Sequence, residues 1–322
     1  MKVHAPSLQG MESVCCPLCG SNRQELLCTA QDHLTRQPGP YTLFRCLDCG
    51  LGYLDPRPTA DEMDAHYPPT YDPHASLLLE DMPHPRRWLV QYGLRKRRQP
   101  LLAQRSSGKV LDVGCGAGLF LAEMRRHTSW EIYGIDRNPQ AIAFAREVLK
   151  IPAQVGTIEE NDFPDGSYDA VTMWDTLEHL HAPRKALREI WRILKPDGVL
   201  LLRVPSLDSL DARLFGPHWA GLDAPRHLTV FSKKTLTRIL AETGFSVERM
   251  WCMSGSHASF VISLRFLLER SKPVGRLGRL LLRVAASPGF VALSAPWFFL
   301  VDRLALGPEI TVLSRRQRGN AI

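Results

Sequence analysis

The chain has 322 residues and a formal charge of +7 at pH 7, enough length for one catalytic-size domain with additions. Its 44% apolar and 23% charged residues are ordinary for a globular protein and exclude widespread disorder. The modest positive charge permits an acidic partner, such as a nucleotide-linked substrate, nucleic acid or an anionic membrane surface, without requiring one. The first ten residues lack an apolar segment of signal-peptide length, so we expect a cytoplasmic protein.

Two pairs of closely spaced cysteines lie near the start of the chain. Each pair is followed by glycine, as C-P-L-C-G and C-L-D-C-G. Two such turns direct four thiolates at one point and complete a tetrahedral zinc shell with no open position for water. The sequence therefore predicts a zinc ribbon over residues 12–56 that holds a structural zinc ion, although Cys15 could replace Cys16. The predicted ligands are Cys16, Cys19, Cys46 and Cys49.

A proline-rich stretch over residues 57–85 follows the ribbon. Its poor helical periodicity predicts a connector with one short helix around residues 60–67. The connector contains Tyr67 and Tyr71, which could simply pack two domains together. An amphipathic helix is predicted next, from Pro85 to Gln104.

The segment from Lys109 to Phe120 reads K-V-L-D-V-G-C-G-A-G-L-F. It predicts a buried strand, a tight glycine loop and the start of a helix, an arrangement that lets a ligand lie against bare backbone. A dinucleotide fingerprint would place glycine where Leu119 stands, and the carboxylate of Asp112 would repel a pyrophosphate. The expected ligand therefore has a ribose and a cationic group but no phosphates.

These residues resemble the first motif of the class I S-adenosylmethionine-dependent methyltransferases. The later segments D-T-L-E-H and R-I-L-K-P-D-G also resemble motifs of that family, with Asp197 in place of a usual glycine. The resemblance implies an α/β fold with a doubly wound, seven-stranded, mostly parallel sheet over residues 86–322. It implies S-adenosylmethionine as the cofactor. In that family a Y-x-x-x-Y connector often folds over the cofactor, which would place Tyr67 and Tyr71 at the substrate.

Several residues in this framework are expected to contact the cofactor. The second strand, W-E-I-Y-G-I-D, ends at Asp136, where a carboxylate can accept hydrogen bonds from both ribose hydroxyls or cap the following helix. Ile158 follows the third strand and is expected beside the adenine. The fourth strand, Ala170–Trp174, brings Trp174 to the ligand-binding edge. The predicted cofactor residues are Asp112, Gly114, Cys115, Gly116, Gly118, Asp136, Ile158 and Trp174.

An irregular segment rich in polar and aromatic residues follows the fifth strand, and loops in that position usually carry specificity. Trp219, Asp223 and Arg226 are the predicted substrate residues there. His227, in the same segment, and His179, after the fourth strand, are the predicted catalytic residues, because imidazole is suited to general-base catalysis near neutral pH. The alternatives are that His179 positions a loop and His227 caps a helix.

After a helix capped by Ser232 and a sixth strand at Phe245–Met250, residues 255–308 form a predicted helical insertion before a last strand at Glu309–Arg315. The insertion combines basic residues with an uncharged run over residues 284–301. This pattern suits peripheral membrane contact through residues 260–305, or burial against the core or in a dimer.

The ribbon, connector and sheet together resemble the layout of zinc-ribbon C-methyltransferases that act on nucleotide sugars. Those enzymes carry an acidic residue before the second histidine, where this chain has Arg226. The resemblance implies methyl transfer to an oxygen or carbon nucleophile of a small or carrier-linked acceptor of sugar, quinone, polyketide or lipid type. An RNA methyltransferase is the alternative. Nucleic acid is not favoured as a partner, because the ribbon lacks dense Lys and Arg with interleaved aromatics. A non-catalytic binding module is disfavoured by the intact glycine loop.

Overall fold

The computed structural model of the chain describes residues 10–68, 84–253, 256–269 and 274–317. Its core is a seven-stranded sheet in the order β12-β13-β10-β9-β6-β7-β8, in which β13 alone runs antiparallel to its neighbours. This confirms the predicted doubly wound fold. The sheet strands are β6 (Lys109–Val113), β7 (Glu131–Asp136), β8 (Ala153–Val155), β9 (Tyr168–Trp174), β10 (Leu194–Pro205), β12 (Phe245–Trp251) and β13 (Glu309–Arg316).

Helices cover the sheet, as a mostly parallel sheet requires when both of its faces are apolar. All seven residues of the central strand β9 are buried, including the polar residues Asp169 and Thr172. The order of helices and strands brings the carboxyl ends of β6, β7, β9 and β10 to one edge of the sheet. The helices of this domain are α1 (His84–Gln104), α2 (Leu119–His127), α3 (Pro139–Glu147), α4 (Pro183–Ile193), α5 (Leu210–Phe215) and α6 (Lys233–Glu242).

The N-terminal ribbon shares a sheet with the catalytic domain. Its strands β2 (Gln24–Ala30), β3 (Tyr41–Cys46) and β4 (Gly52–Leu54) are antiparallel. The fourth strand of that sheet, β11 (Thr229–Val230), comes from the segment after β10 and pairs with β4. Two short strands, β1 (Met11–Glu12) and β5 (Arg57–Pro58), form a separate pair at the base of the ribbon. The ribbon is therefore fixed directly against the segment that follows the fifth sheet strand.

The helical insertion lies between β12 and β13, as predicted, and consists of α7 (Ser256–Glu269), α8 (Arg276–Ala285) and α9 (Pro288–Arg303). Helix α7 packs inward, with Phe266 stacked on His33 of the ribbon at 4.7 Å between ring centroids. Helices α8 and α9 expose most of their apolar side chains. Among the described helices, none is long and apolar enough by itself to cross a membrane, and α8 and α9 meet that criterion only jointly, with a bend of 64° between them.

Candidate active site and zinc site

The four predicted zinc ligands converge in the ribbon. Their sulfur atoms all lie within 4.8 Å of one another, and both Cys16–Cys49 and Cys19–Cys46 have Sγ–Sγ distances of 3.5 Å. Each C-x-x-C turn is closed by a glycine N–H that donates to the carbonyl of its first cysteine, and Gly20 and Gly50 have positive φ angles. Four thiolates at these distances fit one tetrahedral zinc ion with no open position.

The adjacent Cys15 is exposed and is not part of this cluster, which resolves the ambiguity left by the sequence. We expect protein purified without chelator to contain one zinc per chain, and Cys46→Ser to lose it because three thiolates hold zinc far less tightly. Elemental analysis measures the stoichiometry. Cys15→Ser is the matched control and should retain its zinc; loss of zinc from Cys15→Ser alone would contradict the assignment.

The glycine loop after β6 forms an open backbone surface at the carboxyl edge of the sheet. Gly114, Gly116 and Gly118 all have positive φ angles, between 51° and 80°. At Gly114 an added Cβ would lie 2.6 Å from Cγ2 of Thr176, so only glycine allows this close packing. At Gly116 a Cβ would meet nothing within 4 Å, because that residue borders open space. A ligand can therefore approach the backbone of Gly116 directly.

Asp136 ends β7 beside this loop, with 8% of its surface exposed. Its Oδ2 accepts a hydrogen bond from Gly116 N at 2.8 Å, and its Oδ1 accepts one from Asn138 N at 2.8 Å. The helix cap that we considered for Asp136 is supplied by Asn138, which accepts from the backbone of Gln140 and Ala141. The carboxylate of Asp136 thus fixes the loop, and its remaining lone pairs can accept from a ribose hydroxyl. These features fit the nucleoside part of S-adenosylmethionine.

The other predicted cofactor residues lie deeper than expected. Asp112 is buried and accepts from Thr172 Oγ1 at 2.5 Å; burial raises the pKa of this carboxyl to about 7, despite the hydrogen bond from Thr172 and the charge of Arg97. Cys115 and Ile158 are buried in the hydrophobic core. The cofactor roles of Asp112, Cys115 and Ile158 therefore stay predictions.

Trp174 ends β9 at the same edge of the sheet as the glycine loop. Its ring meets Phe120 edge-to-face at 5.4 Å between centroids, and the guanidinium of Arg97 lies 5.1 Å from its ring centroid. Arg97 also lies 3.6 Å from the carboxylate of Asp175, which is hydrogen-bonded to Arg203. Asp175 is thus paired with both arginines. Neither Arg97 nor Arg203 was predicted from the sequence to be part of the site.

The two predicted catalytic histidines lie together. Their ring centroids are 4.6 Å apart and the rings are nearly perpendicular. His179 ends the short 3₁₀ helix Leu177–His179, only three residues beyond the Thr176 that packs on the glycine loop. His227 is brought to it by a backbone hydrogen bond from Leu228 N to Glu178 O. Burial and the neighbouring His227 lower the pKa of His179 to about 3, so its imidazole is neutral.

Tyr67 and Asp223 surround the histidine pair. The hydroxyl of Tyr67 lies 2.9 Å from Nδ1 of His179, which places the connector over this part of the site. Tyr71 lies outside the described residues. Asp223 Oδ2 is 3.9 Å from Nε2 of His227, so this carboxylate provides the negative charge that the sequence motif lacks at position 226. Burial favours a higher pKa for Asp223, but the hydrogen bonds and the positive charge of Arg226 outweigh it and lower the pKa.

Arg226 and Trp219, predicted as substrate residues, are both buried. The Arg226 side chain is 0% exposed and donates to both oxygens of Asp32 at 2.8 and 2.9 Å, and to Asp223. Because its donors are used inside the protein, it is not available to an acceptor. Trp219 is 2% exposed and packs in a hydrophobic cluster with ribbon residues such as Tyr41. The ribbon covers the side of the segment that the sequence suggested was open, and the substrate roles of Arg226 and Trp219 stay predictions.

Residues 84–249, slightly more than half of the chain, match the family model described as a methyltransferase domain. The chain belongs to this methyltransferase domain family. The match agrees with the predicted fold and with S-adenosylmethionine as the cofactor, which the open glycine loop and Asp136 fit.

Relatives of this methyltransferase domain align over only part of the chain. A probable S-adenosylmethionine-dependent methyltransferase of Mycolicibacterium smegmatis is 30% identical over 152 residues, covering 46% of this chain and 56% of that protein. The ubiquinone biosynthesis O-methyltransferase of Xanthomonas oryzae is 35% identical over 103 residues, 30% of this chain and 43% of that protein. The ubiquinone/menaquinone biosynthesis C-methyltransferase of Citrifermentans bemidjiense is 37% identical over 105 residues, 30% of this chain and 45% of that protein. The chain spans about half the length of the curated relatives it matches.

Proposed function

We propose that the protein transfers the methyl group of S-adenosylmethionine to an oxygen or carbon nucleophile of a small or carrier-linked metabolite of sugar, quinone, polyketide or lipid type. The observation that carries the proposal is the pair His179 and His227 next to the glycine loop. When bound, S-adenosylmethionine supplies a methyl group that is already activated by the sulfonium. The protein's task is therefore mainly to align the acceptor and manage its proton.

The residues around the histidine pair are suited to that task. The Nδ1 atom of His227 lies 2.9 Å from the carbonyl oxygen of Gly221, which fixes its ring and leaves Nε2 free. Tyr67 and the 3₁₀ helix Leu177–His179 confine the same space from two sides. Such a site binds an acceptor with an acidic O–H or C–H group, and we place the acceptor between the imidazoles and Gly116.

Among acceptor types, we favour a quinone-like or lipid-like compound. The two quinone-pathway relatives are an O-methyltransferase and a C-methyltransferase. Their similarity to this chain is therefore consistent with methyl transfer to either an oxygen or a carbon nucleophile. An RNA acceptor is less favoured, because residues 12–56 contain five carboxylates against three arginines. A ribbon with net negative charge would repel a phosphate backbone.

Two measurements test the proposal. Calorimetry with S-adenosylhomocysteine should show binding at about one site per chain, and mass spectrometry should detect methylated product when S-adenosylmethionine is mixed with phenolic and hydroxyquinone acceptors. Structured RNA and nucleotide sugars form the comparison panel. Binding of the nucleoside without methylation of any phenolic or lipid acceptor, together with methylation of RNA, would replace this proposal with the RNA alternative.

We also propose that helices α8 and α9 rest on an anionic membrane, where a lipid-like acceptor would be found. The two helices present a row of strongly exposed apolar side chains, with Leu293 83% and Leu277 71% exposed. Many exposed apolar side chains on two adjacent helices are typical of a binding interface. Its members are Leu277, Leu280, Leu281, Val284, Val291, Leu293, Trp297, Phe299 and Leu300.

The charges around this surface favour anionic lipid as the partner over a second copy of the chain. Residues 270–301 contain no Asp or Glu, whereas Arg276, Arg279 and Arg283 line one side of α8 at helical spacing. A symmetric contact between two such faces would bring the arginines of both copies together. Each basic residue near an anionic membrane contributes about 1 kcal/mol, and Trp297 is of the type that anchors at the interface.

Replacing Leu293 and Trp297 together with glutamate is expected to lower vesicle binding at least about tenfold, because each buried apolar side chain contributes about 1.5–3 kcal/mol. Flotation with phosphatidylglycerol-containing vesicles measures the bound fraction, and vesicles of phosphatidylcholine alone should bind little protein. Leu26→Glu is the matched control, since Leu26 is an exposed apolar residue on the ribbon. Equal flotation of the double variant and wild type, or no flotation of wild type, would refute membrane docking.

A further inference from the structure

Three potential metal ligands meet where the 3₁₀ helix Leu177–His179 contacts the segment after β10. A carboxylate oxygen of Glu178 and a ring nitrogen each of His179 and His227 all lie within 4.8 Å of one another. In the described part of the chain, the zinc cysteines are the only other such group. The cluster belongs to the acceptor side of the site and is separate from the ribbon's zinc position.

Glu178 gives an independent indication that something is bound here. Its side chain is 0% exposed, and neither carboxylate oxygen has a hydrogen-bond partner. The nearby guanidinium of Arg203 is directed at Asp175 and, at 2.8 Å, at Glu309. A buried carboxyl group without a hydrogen-bond partner is unfavourable, and a bound cation would be a partner for its oxygens.

The two histidines are held in the form that binds metal. Nδ1 of His179 lies 3.0 Å from the carbonyl oxygen of Arg226, and Nδ1 of His227 lies 2.9 Å from that of Gly221. A carbonyl oxygen can only accept, so the tautomer with its proton on Nδ1 satisfies both contacts and leaves the lone pair on Nε2. In that tautomer the Tyr67 hydroxyl, 2.9 Å from Nδ1 of His179, would accept from the same N–H. Backbone carbonyls that fix Nδ1–H in this way are the usual second shell of metal-binding histidines.

We propose that Glu178, His179 and His227 bind one first-row divalent cation, of the Mn²⁺, Fe²⁺ or Zn²⁺ type. Two imidazoles and one carboxylate select these ions over Mg²⁺ and Ca²⁺, which prefer all-oxygen shells. Three protein ligands also leave coordination positions open for an acceptor. This inference rests on the proposed methyltransferase function only for what the cation does, not for its binding.

The cation would favour acceptors that are methylated on oxygen, above all those in which two adjacent oxygen atoms bind the same cation. An acceptor hydroxyl on the cation releases its proton to solvent water more readily, because the positive charge stabilises the oxyanion. The oxyanion then forms the new O–C bond as the C–S bond of the cofactor breaks, and the electron pair of that bond remains on sulfur. His227 serves as a ligand in this scheme, in place of the general-base role predicted from the sequence.

The test uses full-length protein with its ribbon zinc retained and Mn²⁺ as the probe, because Mn²⁺ is a poor ion for a four-thiolate site. Electron paramagnetic resonance should show about one bound Mn²⁺ per chain. Glu178→Gln, which keeps the side-chain shape, and His227→Ala should each weaken Mn²⁺ binding by at least about tenfold. Glu248→Gln, which alters a carboxylate of a surface ion pair with Arg315, should bind Mn²⁺ as the wild type does.

The outcomes separate this proposal from the proposed function. No saturable Mn²⁺ binding by wild type, or equal binding by Glu178→Gln, overturns the metal site. Calorimetry with S-adenosylhomocysteine on the same samples should show that both variants still bind it, since neither residue lies in the glycine loop. Mn²⁺ binding in a protein that does not bind the nucleoside would sustain the metal site and refute methyl transfer.

Discussion

Replacing Asp136 with alanine is expected to weaken S-adenosylhomocysteine binding by at least about 100-fold. Hydrogen bonds to a charged group contribute about 1.5–3 kcal/mol each, so losing two of them removes at least two factors of ten. The change removes the proposed acceptor for the ribose hydroxyls. It also removes the carboxylate that holds Gly116 N and Asn138 N at 2.8 Å, and so loosens the loop that the nucleoside contacts. Calorimetry measures the affinity.

Asp162→Ala is the matched control, because Asp162 is an exposed carboxylate after β8 with no part in the glycine loop. It should bind the nucleoside as the wild type does. Gly114→Val tests the same site through the glycine loop. Any Cβ at position 114 meets Thr176, and the φ angle of 73° disfavours a branched side chain. If a folded Asp136→Ala protein retained wild-type affinity, the location of the cofactor site would be wrong.

Arg226→Met is expected to destabilise the protein by about 3–5 kcal/mol, the usual effect of removing one partner from a buried ion pair. The guanidinium is the only cation hydrogen-bonded to Asp32 among the described residues, and it joins Asp32 of the ribbon to Asp223 of the catalytic domain. Without it Asp32 and Asp223 both lose the hydrogen bonds of a buried cation. The shift of the urea unfolding midpoint, followed by tryptophan fluorescence, measures the effect.

Arg238→Met provides the control for this stability measurement. Arg238 forms an ion pair with Glu242 on the surface of α6, with 41% of the Arg238 side chain exposed. Exposed pairs of this kind contribute about 0–1 kcal/mol, so the midpoint should move little. If Arg226→Met were no less stable than Arg238→Met, the ribbon would not depend on this buried pair for its attachment.

Local patterns predicted most of the fold and the chemistry of both ligand sites. The C-x-x-C-G pairs and the glycine loop each depend on residues a few positions apart, so their geometry is encoded in short segments. The cap of α3 is also local, but the sequence analysis considered Asp136 for it, where the structure uses Asn138. Asp136 was predicted because a strand end fixes where its side chain lies relative to the loop.

Contacts between distant segments were not predictable in this way. Asp32 and Arg226 are 194 positions apart, and nothing in either local sequence indicates the other. The burial of Trp219 likewise depends on how the ribbon docks, which β11 decides by joining the ribbon sheet. Arg226 was consequently assigned to the substrate, because a polar residue in a loop resembles a binding residue until its partner is known.

By itself the sequence determined the family, the cofactor class, the succession of strands and helices along the chain and the two C-x-x-C pairs, since these follow from motifs and apolar periodicity along the chain. Only the tertiary structure decided that His179 and His227 face each other beside an unpartnered Glu178, that Arg226 is a buried link, and that α8 and α9 leave their apolar side chains exposed. The physical reason is that burial and charge pairing depend on which segments pack together. Periodicity describes one segment at a time and cannot specify its neighbours.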